Sequence, residues 1–455
     1  MHPAVSSPED NAMIWKIIYL PALAGLNYLL YSQEWGSLYL SVIVLLTYLA
    51  FIPRQLLHPN NMLFGFYSLY VVVSSTLNLV LDWIGWAYVL HGGQQVFWDK
   101  ISKYTLFQIE FTYLVLYFGF YFFTRYRASE QREPTPVTVK TKVIWMLVGV
   151  NAVLVLWFLQ STAGIDAWIN DYSATYLSKR KGHGLLNFVT ITVGNALAFI
   201  MGVWTRNAPR KLLPVLLAII ALGMQAYMNG FKGRLIFLML IFFAPWLILV
   251  ELRFKTLITV TIAFFSLLYL TTLVRTEGYY ASAPFFLEML INYFNAHQLH
   301  DWVVTSRDPG LLQTVGQIFT KPGQVLGLVE SDADFDISVM LTKEFFPDQW
   351  YLESATQQWP LETEAYLNYY GFILSWIPML LYAYIISWLF RAAVIRKNIW
   401  LLPLFVLEFN RIFAVMRGTL IPWEVFFMIV QYPAVYILTR FCLPKVKVRK
   451  TSSAG

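Results

Sequence analysis

Hydrophobic residues are grouped in about twelve stretches of roughly 20 residues, and short polar segments separate the stretches. A stretch of this length crosses the hydrocarbon core of a bilayer when it forms a helix. The pattern therefore predicts an all-α, polytopic helical membrane protein with about 12 transmembrane helices. The predicted helices lie at about residues 13–31, 36–53, 62–84, 104–124, 143–162, 185–205, 212–229, 235–252, 256–274, 367–390, 399–416 and 419–439.

The composition belongs to the same class, because 58% of the 455 residues are hydrophobic and only 13% are charged. Soluble domains carry about 25% charged residues. The net charge is +7, and Lys and Arg are concentrated in every second segment between the stretches. Since basic loops stay on the cytoplasmic side of a membrane, this distribution predicts that both termini are cytoplasmic. The basic balance indicates contact with anionic membrane lipids and not with nucleic acid.

The longest polar segment, residues 275–366, lies between the ninth and tenth predicted helices, on the side opposite to the basic loops. It contains 4 Lys and Arg residues and 13 Asp and Glu residues. Prolines divide it, and the sequences at 285–297 and 334–346 predict short helices. We therefore predict three regions: a membrane region at 1–274 with helices 1–9, a large outer loop at 275–366, and a membrane region at 367–455 with helices 10–12 and a basic cytoplasmic tail.

Several basic residues lie at the predicted outer ends of helices, where Lys and Arg are normally scarce. A cation kept there is a candidate ligand for an anion such as a diphosphate. Tyr176 precedes one of them by four residues, so the two side chains share a helix face. The alternative is that these residues contact only lipid headgroups or pair with acidic neighbours at the surface. The basic candidates are Arg180, Lys232, Arg234, Arg275 and Arg417.

Candidates for acid–base chemistry lie in the outer loop and at its end. His297, His300 and Asp301 share one helix face, and a histidine oriented by a carboxylate is a suitable base near neutral pH. The same pattern also fits an ordinary solvated face, and it is too sparse to predict a metal site. Glu364 and Asn368 are spaced i, i+4 at the start of the tenth predicted helix, and this polar face is predicted to line a cavity.

Two short motifs resemble a known family. Residues 364–371, Glu-Ala-Tyr-Leu-Asn-Tyr-Tyr-Gly, follow the largest outer loop, and residues 230–234, Gly-Phe-Lys-Gly-Arg, form a turn between two earlier helices. Both resemble motifs of the Wzy-type O-antigen and oligosaccharide repeat-unit polymerases of bacterial surface polysaccharides. Tyr370 stands where that family usually has phenylalanine. The number of helices and the position of the long loop are also similar along essentially the whole chain.

The resemblance implies a GT-C-like membrane glycosyltransferase of the bacterial inner membrane whose active site faces the periplasm. Such enzymes transfer a glycan from undecaprenyl diphosphate to the non-reducing end of another lipid-linked repeat unit, without a nucleotide sugar, a metal or another cofactor. A flippase and a chain-length regulator are the protein partners that it implies. On this view the substrate-binding residues are Tyr176, Arg180, Lys232, Arg234, Arg275, Asn368 and Arg417, and the catalytic candidates are Glu364 and His300.

Other functions remain compatible with the sequence. An O-antigen ligase has a similar number of helices and a similar outer loop, and it differs in its acceptor. A flippase or another transporter is a second alternative, although a long outer loop is unusual for that class. A non-catalytic assembly protein is the third. Four aromatic residues of the outer loop either stack on sugar rings or pack inside the loop: Trp302, Trp350, Tyr351 and Trp359.

Overall fold

The computed structural model describes residues 9–32, 36–85, 101–126, 136–172, 183–229, 232–253, 293–315, 337–352, 356–418 and 425–446, together with isolated residues between these ranges. Within this part of the chain the protein is helical, and the only β-structure consists of isolated antiparallel bridges. The predicted all-α class is therefore confirmed.

The first half of the chain contains α1 (Glu9–Ser32), α2 (Gly36–Ala50), α3 (Pro59–Tyr67), α4 (Ser74–Trp83), α5 (Lys103–Phe123), α6 (Thr141–Thr162), α7 (Ile165–Asn170), α8 (Gly184–Asn207), α9 (Leu212–Met228) and α10 (Lys232–Leu247). The second half contains α11 (Ala296–Ser306), α12 (Ile337–Phe345), α13 (Pro347–Tyr351), α14 (Leu361–Tyr369), α15 (Trp376–Phe390), α16 (Leu402–Met416) and α17 (Val425–Cys442). Two π-helical segments join α3 to α4 and extend α15: Ser68–Val73 and Arg391–Ile395.

Several of these helices are long and apolar enough to cross a membrane: Pro59–Leu81, Lys103–Phe123, Thr141–Thr162, Gly184–Asn207 and Trp376–Ile395. Three shorter apolar helices are Gly36–Ala50, Leu212–Met228 and Gly233–Leu247. These elements support a membrane-embedded protein. The number of twelve spans stays a prediction, and the predicted span at 256–274 lies largely outside the described residues.

The tenth predicted helix, 367–390, is interrupted in the structure. The helix that begins in the outer loop, α14, ends at Tyr369, and the two residues that follow have left-handed backbones with φ of 51° at Tyr370 and 59° at Gly371. A Cβ at Gly371 would require the hydroxyl of Tyr104 to move, and the left-handed backbone itself favours glycine. The apolar span itself begins later, at Trp376.

The chain divides into two compact units. The first comprises Met1–Phe123, Glu251–Ile385 and Arg411–Trp423, and the second comprises Thr124–Val250, Ile386–Asn410 and Glu424–Gly455. The predicted division into membrane and loop regions stays a prediction. Within the first unit, the outer-loop helices α11 and α14 pack against α5.

In the first unit, the outer-loop helices surround an apolar core of their own. Trp302 stacks against Phe345 and Phe346 at the edge of this core. Residues 310–312 run alongside the end of α14 and bind its backbone, with the Gly310 amide donating to the Tyr366 carbonyl at 3.0 Å. The buried members of the core are Leu299, Val303, Ile337, Leu341, Phe346, Trp359, Tyr366 and Leu367.

In the second unit, α8 is the central helix and contacts α6, α9, α10 and α17. Close approach of α10 requires a glycine, because a Cβ at Gly202 would overlap the backbone carbonyl of Phe242. The short helix α7 is fixed to the end of α9: the Tyr227 hydroxyl donates to the Trp168 carbonyl at 2.5 Å, and the Tyr172 hydroxyl donates to the Tyr227 carbonyl at 2.9 Å.

Candidate functional site

The first turn of α14 brings three consecutive polar residues, Glu362, Thr363 and Glu364, into the interior of the first unit. None of the three is exposed, and a helix directs consecutive side chains to different sides. Because a buried polar group without a partner is strongly unfavourable, each of these side chains defines a separate polar contact. These contacts connect the outer loop to α3, α5, α11 and the end of α16.

Glu362 contacts α3 and α11. Its Oε1 atom accepts a hydrogen bond of 2.6 Å from the Tyr67 hydroxyl, and its Oε2 atom lies 3.7 Å from Nδ1 of His297. Burial raises the pKa of Glu362 to about 8, against the opposing effect of the Tyr67 hydrogen bond. Burial also lowers the pKa of His297 to about 3. Near neutral pH the pair therefore consists of a protonated carboxyl and a neutral imidazole.

His300 lies between α5 and α14. The Gln108 amide nitrogen donates to the Glu362 carbonyl at 3.1 Å, so the amide oxygen faces Nε2 of His300, also at 3.1 Å. An amide oxygen can only accept, so Nε2 carries the ring proton and Nδ1 accepts from the Thr363 hydroxyl at 3.1 Å. Burial, followed by the neighbouring His297, lowers the pKa of His300 to about 3. The ring is a neutral, hydrogen-bonded histidine.

The expected pairing of a histidine with Asp301 is wrong. The Asp301 carboxylate instead accepts from the Ser102 amide at 3.0 Å, the Ser102 hydroxyl at 2.7 Å and the Thr105 hydroxyl at 2.7 Å. These donors lie at the beginning of α5, where backbone N–H groups have no helical partner and a carboxylate is favourable. The carboxylate that does face a histidine is Glu362.

Glu364 and Arg417 are brought into one neighbourhood. The Glu364 carboxylate accepts from the Tyr369 hydroxyl at 3.3 Å through Oε1 and from the backbone amide of Leu420 through Oε2. Leu420 follows Arg417 by three residues, just beyond the end of α16. Two candidates that are 53 positions apart in the sequence are thus connected through one backbone hydrogen bond.

Arg417 is half-buried between two aromatic rings. Its guanidinium lies 5.0 Å from the ring centre of Tyr293 and 5.9 Å from that of Tyr70, within the range of cation–π attraction. One terminal nitrogen donates to the Tyr293 hydroxyl at 3.4 Å, whereas the buried Nε has no hydrogen-bond partner within the described part of the chain. Among the described residues, no carboxylate forms an ion pair with Arg417. The charge is therefore not neutralised by the part of the protein that the structure describes.

Asn368, one helical turn after Glu364, holds the outer loop. Its amide oxygen accepts from the Thr314 amide at 2.8 Å and the Val315 amide at 3.3 Å, and its amide nitrogen donates to the Thr314 hydroxyl at 2.9 Å. The side chain is fully buried, and both of its polar atoms bind the protein. These contacts assign Asn368 to anchoring residues 314–315, and substrate binding by Asn368 stays a prediction.

Arg234 lies in the second unit, at the beginning of α10. Its guanidinium donates to the Ile191 carbonyl of α8 at 3.3 Å and lies 5.2 Å from the ring centre of Phe237. Its Nε atom is buried and has no hydrogen-bond partner in the ranges that the structure describes. Arg234 thus resembles Arg417 in being a half-buried arginine beside an aromatic ring.

For four of the predicted site residues the structure describes no side chain. Tyr176, Arg180 and Arg275 lie outside the described residues. Lys232 is the first residue of α10, and the structure describes its backbone alone. Among the outer-loop aromatics, Trp359 is fully buried in the loop core, and Tyr351 is 70% exposed. Packing inside the loop is therefore the observed arrangement for Trp359.

Sequence reasoning missed Tyr67, Tyr70, Gln108 and Glu362 as members of this polar region. One usable signal was the presence of Gln108 and Glu110 within an otherwise apolar predicted span, because buried polar residues in a membrane helix face other protein groups. Nothing in the sequence connects Tyr67 with Glu362, which are 295 positions apart. Within the described ranges, no group of three or more His, Cys, Asp or Glu side chains is arranged to hold a metal ion.

Comparison with known proteins adds no further assignment. No protein-family profile matches the sequence, and no curated protein and no solved structure is significantly similar to it.

Proposed function

We propose that this protein is a membrane-embedded glycosyltransferase that polymerises lipid-linked oligosaccharide repeat units on the periplasmic face of a bacterial inner membrane. The donor is a glycan on undecaprenyl diphosphate, and the acceptor is the non-reducing end of an incoming lipid-linked unit. The proposal rests on the resemblance of residues 364–371 and 230–234 to that family. The observation that supports it best is the half-buried Arg417, whose guanidinium has no carboxylate partner among the described residues.

The chemistry requires a cation at the leaving group. The bond between the donor sugar and its diphosphate breaks, the acceptor hydroxyl oxygen bonds to the sugar carbon, and the lipid diphosphate departs with its negative charge. An arginine that is fixed before the reaction stabilises this charge most effectively, because its guanidinium binds phosphate oxygens with two parallel hydrogen bonds. Arg417 is held by Tyr70 and Tyr293, and its Nε has no hydrogen-bond partner among the described residues. We assign it to a diphosphate, and Arg180, Arg234, Lys232 and Arg275 remain further candidates.

The acceptor hydroxyl must lose a proton during the transfer. His300 is the residue that we propose as the base, because a neutral imidazole has a nitrogen that can accept a proton. In the structure this nitrogen, Nδ1, accepts from the Thr363 hydroxyl at 3.1 Å. Action as a base therefore requires that a substrate hydroxyl replaces or extends this contact.

The experiment that tests the proposal is analysis of surface polysaccharide in the native host after deletion of the gene. The deletion strain is complemented with wild type, Arg417→Ala, Arg417→Lys and, as a matched control, Arg210→Ala, which removes an exposed arginine. We expect a ladder of polymer lengths with wild type and Arg210→Ala, and single repeat units with Arg417→Ala. Arg417→Lys should restore a weak ladder, since lysine keeps the charge and loses the bidentate geometry.

Other outcomes would point to the alternatives. Lipid-linked polymer that accumulates without transfer to its final acceptor indicates a ligase. Repeat units that remain on the cytoplasmic face indicate a flippase. An unchanged ladder in the deletion strain would falsify the proposed function altogether.

A further inference from the structure

Both oxygens of the Glu364 carboxylate are occupied by donors of the protein itself. Oε1 accepts from the Tyr369 hydroxyl and Oε2 from the Leu420 backbone amide, and the side chain has no solvent exposure. Each oxygen could accept a second hydrogen bond, but a base or a sugar-binding group must also be reachable by the substrate, and this buried carboxylate is not exposed. The contacts of Glu364 are instead those of an anchor between α14 and the chain that leaves α16.

The anchored segment determines where Arg417 stands. Helix α16 ends at Met416, and its last turn tightens, with the Arg417 amide donating to the Ala414 carbonyl at 3.2 Å and the Gly418 amide to the Val415 carbonyl at 3.1 Å. Leu420, which is 8% exposed, is then held by Glu364. The position of the Arg417 backbone is thus fixed from the helix on one side and from the carboxylate on the other.

We infer that Glu364 is a positioning residue for Arg417, acting through the Leu420 backbone amide. Its effect on turnover rests on the proposed function, whereas its effect on the segment after α16 does not. A hydrogen bond from an amide to a buried carboxylate is stronger than a neutral one, so its loss releases the segment. A displacement of the order of 1 Å is enough to weaken a phosphate contact that requires alignment of the guanidinium.

Glu364→Gln distinguishes a positioning residue from an acid–base residue. Glutamine has the shape of glutamate and keeps an oxygen that can accept from the Leu420 amide, but it cannot transfer a proton. A positioning residue therefore tolerates glutamine, whereas an acid–base residue does not. Glu364→Ala removes the acceptor in both cases. The matched control is Glu133→Gln, which changes an exposed glutamate outside the outer loop.

Two measurements on the purified full-length protein test the inference. Hydrogen exchange of the backbone amides in residues 411–420 reports the anchor without any substrate. Binding of undecaprenyl diphosphate in detergent reports Arg417. We expect Glu364→Ala to increase exchange at Leu420 and to weaken binding about tenfold, and Glu364→Gln to stay within about threefold of wild type in both. In the double variant Glu364→Ala/Arg417→Ala, the losses in binding should not add.

Several results would overturn the inference. One is an amide exchange rate at Leu420 that is the same in Glu364→Ala as in wild type. Another is a Glu364→Gln protein that folds and binds normally but, in the complemented deletion strain, yields no polymer ladder, as Glu364→Ala does; this would make Glu364 an acid–base residue. If Glu364→Ala does not fold, the glutamine variant decides alone by the same criteria. A third result separates the two proposals. If Glu364→Ala increases amide exchange at Leu420 but wild type does not bind undecaprenyl diphosphate, Glu364 is an anchor and the proposed function is rejected.

Discussion

Glu362 and Glu364, two residues apart at the beginning of α14, have different surroundings although both are fully buried. Glu364 accepts from a backbone amide and a hydroxyl. Glu362 faces the Tyr67 hydroxyl and a histidine that is itself neutral. The sequence singled out Glu364 through its motif, but it gave no reason to separate the two carboxylates. That separation depends on partners from α3, α11 and the end of α16, which only the fold brings together.

The state of Glu362 predicts how stability depends on pH. Its pKa is raised from 4.5 to about 8 by burial, so the folded protein holds this proton more tightly than the unfolded chain does. The stabilisation is complete below about pH 4.5 and is lost as the pH rises to about 8, at about 1.4 kcal/mol for each pH unit. We expect Glu362→Gln, which imitates the protonated carboxyl, to flatten this decline. The melting temperature of the full-length protein in detergent, measured from about pH 5 to about pH 9, checks it.

His297 and His300 determine how stability changes with pH on the acidic side. Burial lowers the pKa of His297 and of His300 to about 3, so each binds a proton more weakly in the folded protein than in the unfolded chain. Their contribution is complete above about pH 6.5 and is lost as the pH falls toward 3. The control is Glu133→Gln, which changes an exposed glutamate outside this polar region. A Glu362→Gln protein that still loses stability between pH 6 and pH 8 as wild type does would contradict a protonated Glu362.

At the scale of elements, the apolar pattern was sufficient to predict most helices, because a run of apolar residues in a membrane has few alternatives to a helix. It was insufficient at the end of α14. The left-handed backbone at Tyr370 and Gly371 is stabilised by tertiary contacts, including a Tyr370 amide that donates to the Gly310 carbonyl at 2.9 Å. A local pattern contains no information about contacts with Gly310 or Tyr104. The apolar pattern therefore predicted one continuous helix across the break.

The packing of α8 against α10 predicts a contrast between two glycines of the second unit. A Cβ at Gly202 would overlap the Phe242 carbonyl, which is backbone and cannot rotate away, whereas a Cβ at Gly223 of α9 meets nothing within 4 Å. We expect Gly202→Ala to destabilise the protein by about 1–3 kcal/mol through overpacking. Gly223→Ala should be neutral or slightly stabilising, because alanine is the better helix former.

Thermal denaturation of both alanine variants in one detergent distinguishes the effects. The comparison controls for the substitution itself, because glycine is replaced by alanine within an apolar helix in each case. Equal melting temperatures for the two variants would mean that α8 and α10 approach each other less closely than the structure places them.

At the scale of the whole molecule, the distribution of Lys and Arg predicts sidedness, which packing inside either unit does not determine. The loop at 206–211 is predicted to be cytoplasmic, and the acidic loop at 275–366 is predicted to be periplasmic. Three predicted spans separate them, at 212–229, 235–252 and 256–274. The first two correspond to α9 and α10, so the third span decides whether the two loops lie on opposite sides.

Cysteine labelling tests this arrangement directly. The single native cysteine, Cys442, is buried, so wild type provides an unlabelled baseline. Arg210→Cys and Tyr351→Cys each place a thiol at an exposed position, one in each loop. With a maleimide that cannot cross membranes, we expect Tyr351→Cys to react once the outer membrane is opened, and Arg210→Cys to react only after the inner membrane is permeabilised. Reaction of both variants under the same condition would mean an even number of spans between the loops, and 256–274 would then not cross the membrane. If that condition is permeabilisation of the inner membrane, the acidic loop, with His300 and Glu364, lies on the cytoplasmic side, and a periplasmic active site is excluded.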